Sequence, residues 1–305
     1  MTRTTVLGVC ALAAIHAIQD PPPRFRSGTE SVSVDVLVLD GNRPVAGLST
    51  SAFDLRDSGV RQSITAVEMR DVPVSLMLAL DTSNSVRGPM LRRLAEATRA
   101  AIDTLGPNDR AALLTFNEAV VLRADWGATA EALQGALQQI EGGGFTALTD
   151  AASAALTLRD VRPGTRAMVL IFSDGEDTIS WLPEQAVLEK ARRTDAVVYT
   201  VGESTGLGRP LEYGSGVQLW PRNPRALREA IPFFKELADV TGGVMFRTPR
   251  GASLGDTFRK VVTDFRSRYV LTYTPEGVDA RGWHPIEVRL KGTKGRVRAR
   301  RGYSR

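Results

Sequence analysis

The sequence predicts an α/β fold with a mostly parallel central sheet covered by helices, plus a small β-sandwich-like unit built from the two flanks of the chain. Three observations carry this. Residues 30–70 and the stretch from about 269 onward alternate apolar and polar residues with period two, as half-buried antiparallel strands do. Between them, continuous apolar runs alternate with amphipathic helical stretches, the mark of a parallel sheet buried on both faces. The chain has 305 residues, 43% hydrophobic and 24% charged. That suffices for one large and one smaller unit without a disulfide or a structural metal.

In chain order, "SVSVDVLVLDGNRPVAGL" places valines at 32, 34, 36 and 38 and breaks at DGNRP. "AFDLRDSGVRQSITAVEM" repeats the pattern around DSG. This segment has too few strands to be stable alone. It is therefore expected to pair with the C-terminal strands "YVLTYTPEG", "HPIEVRLKG" and "GRVRARRGY". Residues 74–80 read as the first α/β strand. "PMLRRLAEATRAAIDTL" sets Leu91, Leu94, Ala95, Ile102 and Leu105 on one helical stripe, with Thr98 as its polar member. "AALLTF" and "AVVLRA" can pair as strands, and "TAEALQGALQQI" and "LTDAASAALTL" are helices. "AMVLIFSD" is a strand, "PEQAVLEKARR" a helix with proline near its start, and "AVVYTVG" a strand. A Gly-rich interval leads to helix "PRALREAIPFFKELADV", strand "GVMFRT" and helix "LGDTFRKVVTDFRSR". The expected divisions are an N-terminal β segment at 30–72, the α/β domain at 73–267 and a C-terminal β segment at 268–305.

The first residues read differently. Arg3 precedes an apolar run from Val6 to Ile18, interrupted by Cys10 and His16. Such a run, about 13 residues long, falls short of the ~20 that span a bilayer but fits a signal-peptide core. Residues 1–19 are expected to be a signal peptide cleaved near Ala17, and 20–29, with "DPPPR", an extended linker. Lipidation of Cys10 fits poorly, because Val9 precedes it and the apolar run continues past it. The protein is thus expected to be exported, periplasmic or secreted, with no transmembrane helix in the mature chain. Intact-mass measurement of protein exported by its host should find this segment missing; a chain still starting at Met1 refutes the reading. Cys10 is the only cysteine, so the mature chain offers neither a cysteine nucleophile nor a zinc–thiolate site.

The net charge is +5, with a basic excess in the tail. Arg296, Arg298 and Arg300 alternate with Val297 and Ala299, which reads as an exposed edge strand protected by charge. No aromatics interleave with these arginines, so no nucleic-acid partner is expected.

The chemistry concentrates in "LMLALDTSNSVRG". A core strand ends there in Asp81, Ser83 and Ser85. In open parallel sheets, ligand crevices lie beyond the carboxyl ends of the strands. "GGGFTALTDA" brings Thr146 to that edge after three glycines, and "VLIFSDGEDT" ends a strand at Asp174. Five oxygen-bearing side chains with no sulfur or imidazole suit a hard cation, magnesium best, with manganese or calcium as alternatives. Each piece has a plainer reading. Ser83 and Ser85 could cap the helix near Pro89, and Asp174-Gly175 could be a turn. The joint pattern at one edge favours a site.

An enzyme is the rival reading. "VGESTG" carries Gly-x-Ser-x-Gly around Ser204, with His284 after it and Asp239 or Asp256 between. A nucleophile elbow needs a helix directly after the serine, whereas "LGRPLEYGSGVQLWP" is rich in glycine and proline. Ser204 then reads as a loop residue and His284 as a surface strand residue. A phosphoryl-transfer site lacks its Gly-x4-Gly-Lys-[Ser/Thr] loop. A structural module with a vestigial metal site is a further alternative.

The stretch 73–267 resembles the von Willebrand factor type A domain. "DTSNS" is that family's Asp-x-Ser-x-Ser motif, and Thr146 in "FTALTDA" and Asp174 in "FSDGEDT" match its other two metal-site positions. The resemblance implies a Rossmann-like domain with a metal-ion-dependent adhesion site (MIDAS) rather than an enzyme. It implies Ser83, Ser85 and Thr146 as direct ligands, with Asp81 and Asp174 in the first or second shell. The implied partner is a protein offering an Asp or Glu carboxylate to the open position of the ion. The flanking segments are similar to a von Willebrand factor type A-related family described from acidobacteria.

Overall fold

The computed structural model describes residues 31–41, 43–68, 72–160, 162–174, 177–203, 211–213, 217–219, 226–248 and 252–305. The predicted signal peptide, the linker and Ser204 lie outside them. Residues Ser31–Arg305 form one compact unit.

The N-terminal strands are β1 (Val32–Asp40), β2 (Arg43–Pro44), β3 (Phe53–Asp57), β4 (Val60–Arg61) and β5 (Ile64–Glu68). Ser58 and Gly59 join β3 to β4 with φ of 49° and 82°, the two positive angles a two-residue hairpin turn requires. The α/β stretch follows with β6 (Val74–Asp81), α1 (Pro89–Ile102), β7 (Arg110–Phe116), β8 (Val120–Ala124), α2 (Ala130–Gln138) and α3 (Leu148–Leu158). It continues through β9 (Arg166–Ser173), α4 (Glu184–Arg192), β10 (Val197–Glu203), β11 (Leu211–Tyr213), β12 (Val217–Leu219), α5 (Ala226–Val240), β13 (Met245–Thr248) and α6 (Leu254–Arg266). The chain ends with β14 (Tyr269–Tyr273), β15 (Trp283–Leu290), β16 (Arg296–Arg298) and β17 (Gly302–Ser304). The hairpin of β11 and β12 falls in the Gly-rich interval, where the sequence reading assigned no strand.

The central sheet runs β13-β10-β9-β6-β7-β8, with β8 alone antiparallel to its neighbour among the described pairings. Every residue of β6 is buried. Alternation sends Val74, Leu76, Leu78 and Leu80 into one core with α1, α2 and α6, and Met77 and Ala79 into a second with α3, α4 and α5. On α1, Leu94, Ala97, Thr98 and Ala101 are buried, and the Thr98 hydroxyl donates to the Leu94 carbonyl at 2.8 Å. That bond removes the cost of a polar group on the apolar stripe.

Two further antiparallel sheets run β16-β1-β14-β5 and β17-β15-β3-β4. In the first, Val32 stands opposite Tyr273 and Val36 opposite Tyr269. In the second, Leu55 stands opposite Val288. Valines 32, 34, 36 and 38 share one core with Phe53, Leu55, Leu271 and Tyr303. An ion pair ties these sheets to the α/β unit: the Arg166 guanidinium donates to Asp35, with Nε at 2.8 Å.

Two expectations are corrected. His284 is not a surface residue: it is 1% exposed, and its Nδ1 meets Asp57 Oδ1 at 3.0 Å. Asp57, itself fully buried, also accepts the hydroxyls of Tyr273 and Tyr303, each at 2.8 Å, and of Ser58 at 3.0 Å. Nor are the tail arginines all exposed edge charges. Arg298 reaches Asp239 at 3.2 Å and Arg300 is half-buried.

Candidate metal centre

In the central sheet, β7 lies on one side of β6 while β9, β10 and β13 lie on the other. The strand order therefore reverses between β6 and β9, and a crevice opens beyond the carboxyl ends at such a point. Asp81 is the last residue of β6, and Asp174 follows the last residue of β9.

Asp81 is wholly buried. Its Oδ1 accepts the Ser83 N–H at 2.8 Å and its Oδ2 accepts the Ser173 hydroxyl at 2.6 Å. Burial, reinforced by the negative charge of Asp174, pushes the Asp81 carboxyl up to about 7. Hydrogen bonds from Ser173 and Ser83 oppose that shift without cancelling it.

The serines are not helix caps. Ser83 precedes a 3-10 turn, Asn84–Val86, and makes no capping bond. The first residue before α1 is Gly88, at φ 57°. The hydroxyls of Ser83 and Ser85 instead face each other at 3.1 Å, the first buried and the second exposed.

The glycine run presses against this turn. Gly144 C=O accepts from Asn84 N–H at 3.0 Å, and Gly143 N–H donates to Thr82 C=O at 2.8 Å. A Cβ on Gly142 would sit 2.8 Å from the Val86 carbonyl oxygen. Gly142→Ala should therefore force two backbones apart. A loss of about 1–3 kcal/mol is expected in a chemical denaturation curve, and an unchanged midpoint refutes this close-approach account.

Thr146, 5% exposed, sits just beyond the glycines. Its N–H donates to Thr178 Oγ1 at 2.8 Å, and its carbonyl accepts from Thr178 and Ile179 N–H at 2.9 and 3.2 Å. The loop after β9 is thus stitched to the loop before α3. Ser173, Thr178 and Asp177 were missed by the sequence reading. Ser173 was legible in principle, because a polar residue closing an apolar strand at this edge has a neighbour to serve.

Among the described residues, no three His, Cys, Asp or Glu side chains gather as a metal cluster. A cation here would need the hydroxyls as well as the two aspartates. Ser204 of the rival triad lies outside the described residues, and the residues that would serve it are engaged elsewhere. His284 is bound to Asp57, Asp239 pairs with Lys235 and Arg298, and Asp256 pairs with Arg259.

Residues 76–176, which contain all five candidate positions, match the family model of the von Willebrand factor type A domain. The α/β unit has a von Willebrand factor type A fold. Type A domains are protein-interaction modules. The solved structure of BatB from Bacteroides thetaiotaomicron is 18% identical, over 63% of this chain and 98% of its own, with a TM-score of 0.50. That likeness extends to the fold alone. A von Willebrand factor type A structure from Catenulispora acidiphila is 15% identical over 88% of this chain and 75% of its own, with a TM-score of 0.49. Proximal thread matrix protein 1 of the mussel byssus, in a form with a zinc-occupied MIDAS motif, is 13% identical over 69% of this chain and 50% of its own, with a TM-score of 0.49. No curated protein sequence matches the chain. No described helix is long and apolar enough to cross a membrane.

Proposed function

We propose that this chain is an exported interaction module that captures a protein partner through a divalent cation held where β6 and β9 end. The supporting observation is the pairing of Asp81 with Asp174: two acidic groups, one wholly buried, close enough for one to raise the other, beside the facing hydroxyls of Ser83 and Ser85. Like charges held this way are costly without a compensating cation. The donor set is all oxygen, which suits magnesium, or manganese or calcium in its place.

In this reading Ser83, Ser85 and Thr146 ligate through their hydroxyl oxygens. Asp81 and Asp174 ligate directly or through water. Ser173 and the Ser83 N–H hold the Asp81 carboxylate in place. When bound, the ion supplies an electrophilic open position for an Asp or Glu carboxylate of the partner. The test is calorimetric titration of magnesium into the metal-free protein. Saturable one-to-one binding is expected, and no heat of binding refutes the assignment and favours a structural module with a vestigial site.

The flanking β segments, 30–72 and 268–305, are proposed to be a unit distinct in role from the type A domain at 73–267. No reaction is proposed, and neither a nucleic acid nor a membrane-spanning helix enters this reading.

A further inference from the structure

Trp181 is 93% exposed, the most exposed large apolar side chain among the described residues, and Ile179 and Leu182 beside it are 43% and 40% exposed. An indole left in water is an unusual use of the residue type that most often anchors interfaces.

The backbone beneath it is not loose. Asp150, in the first turn of α3, accepts the N–H groups of both Trp181 and Leu182 at 3.0 Å. Thr149 donates its hydroxyl to the Leu182 carbonyl at 2.6 Å, and its N–H donates to Ser180 Oγ at 3.1 Å. Asp177 accepts the Ser180 N–H at 3.1 Å. Two acids and two hydroxyls thus hold an apolar patch outward. Its near end, Ile179, donates to the carbonyl of Thr146, so the patch is continuous with the candidate metal centre.

We infer that this patch is the second recognition point of the same surface and takes a large apolar side chain of the partner. The inference rests on the metal-dependent reading above. The occupant is a segment of another protein that carries an Asp or Glu for the ion and, close by in the same segment, an aromatic or branched aliphatic residue for Trp181. Trp181 is anchored on Asp150, in the first turn of α3, and Ile179, two residues before it, on the Thr146 carbonyl, so one short segment of a partner can reach both points. Such an aromatic contact stabilises a complex through the area it removes from water.

The test is a display library of short random peptides, panned on magnesium-loaded protein and eluted with EDTA, with Asp81→Asn as background. Enriched peptides should pair an acidic residue with a large apolar residue nearby. Trp181→Ala should erase the apolar preference and weaken the best peptide by about tenfold or more, with magnesium affinity unchanged by calorimetry. Acidic enrichment without an apolar preference, or an apolar preference that survives Trp181→Ala, overturns this inference and leaves the metal reading standing. No acidic enrichment above background overturns both. Magnesium-dependent self-association in sedimentation that Trp181→Ala abolishes assigns the patch to a second copy of this chain and also overturns it.

Discussion

Asp81→Asn should weaken magnesium binding by at least ~10–100-fold, since losing even an outer-shell partner of a metal ligand costs that much. This corresponds to about 1.4–2.7 kcal/mol. The change is nearly isosteric, and the Ser173 hydroxyl that now donates to Oδ2 can turn to accept from an amide. The fold should therefore survive, as circular dichroism will show. In metal-free buffer above neutral pH, the variant should melt no lower than wild type, because it removes one of two like charges that repel across the crevice. Thr146→Ala provides the uncharged control: it deletes a proposed ligand oxygen and little volume, and should also lower affinity. Unchanged magnesium affinity in both variants refutes the assignment of the site.

A larger loss of stability is expected from Asp57→Asn. Burial alone would raise the Asp57 carboxyl, but hydrogen bonds from Tyr273, Tyr303, His284 and Ser58 outweigh it and hold the group below the ordinary value of 3.8. Hydrogen bonds to a charged group are worth about 1.5–3 kcal/mol each, and they couple, so a net loss of about 3–5 kcal/mol is expected. A depressed carboxyl stabilises the fold above its unfolded-state value and loses that contribution as pH falls through the folded value. Wild type should therefore weaken below about pH 4, and the variant, already lacking the term, should show a shallower acid limb. Denaturation midpoints measured from pH 3 to pH 7 give both results. A variant within 1 kcal/mol of wild type at pH 7 means that Asp57 is not the keystone described.

Much of the type A unit was legible because its signals are local. β6 follows from an unbroken apolar run and α1 from a helical period, although α1 buries Ala97 and Ala101 where the stripe had Leu91 and Ala95; the reversal in strand order lies where the Asp-x-Ser-x-Ser stretch ends a strand. The position of His284 was not legible. Nothing in "HPIEV" announces that a neighbouring strand brings a buried carboxylate beneath it. The tail arginines misled for the same reason: alternation reports which way a side chain points, not whether Asp239 waits there. Ser173 was overlooked because a serine ending a strand has many uses, and only the partner at 2.6 Å selects one.

The pairing of β1 with β14 has a consequence for synthesis. Val32 must wait for Tyr273, and the whole type A unit is made in between. At roughly 5–20 residues per second, the ribosome needs on the order of ten seconds or more to deliver the partner strand. Until then a valine-rich strand has open backbone edges, the state most prone to misassociation. The type A unit can gain its local contacts meanwhile, so the terminal β layers close last. A nascent chain released early should accordingly be sticky rather than merely incomplete.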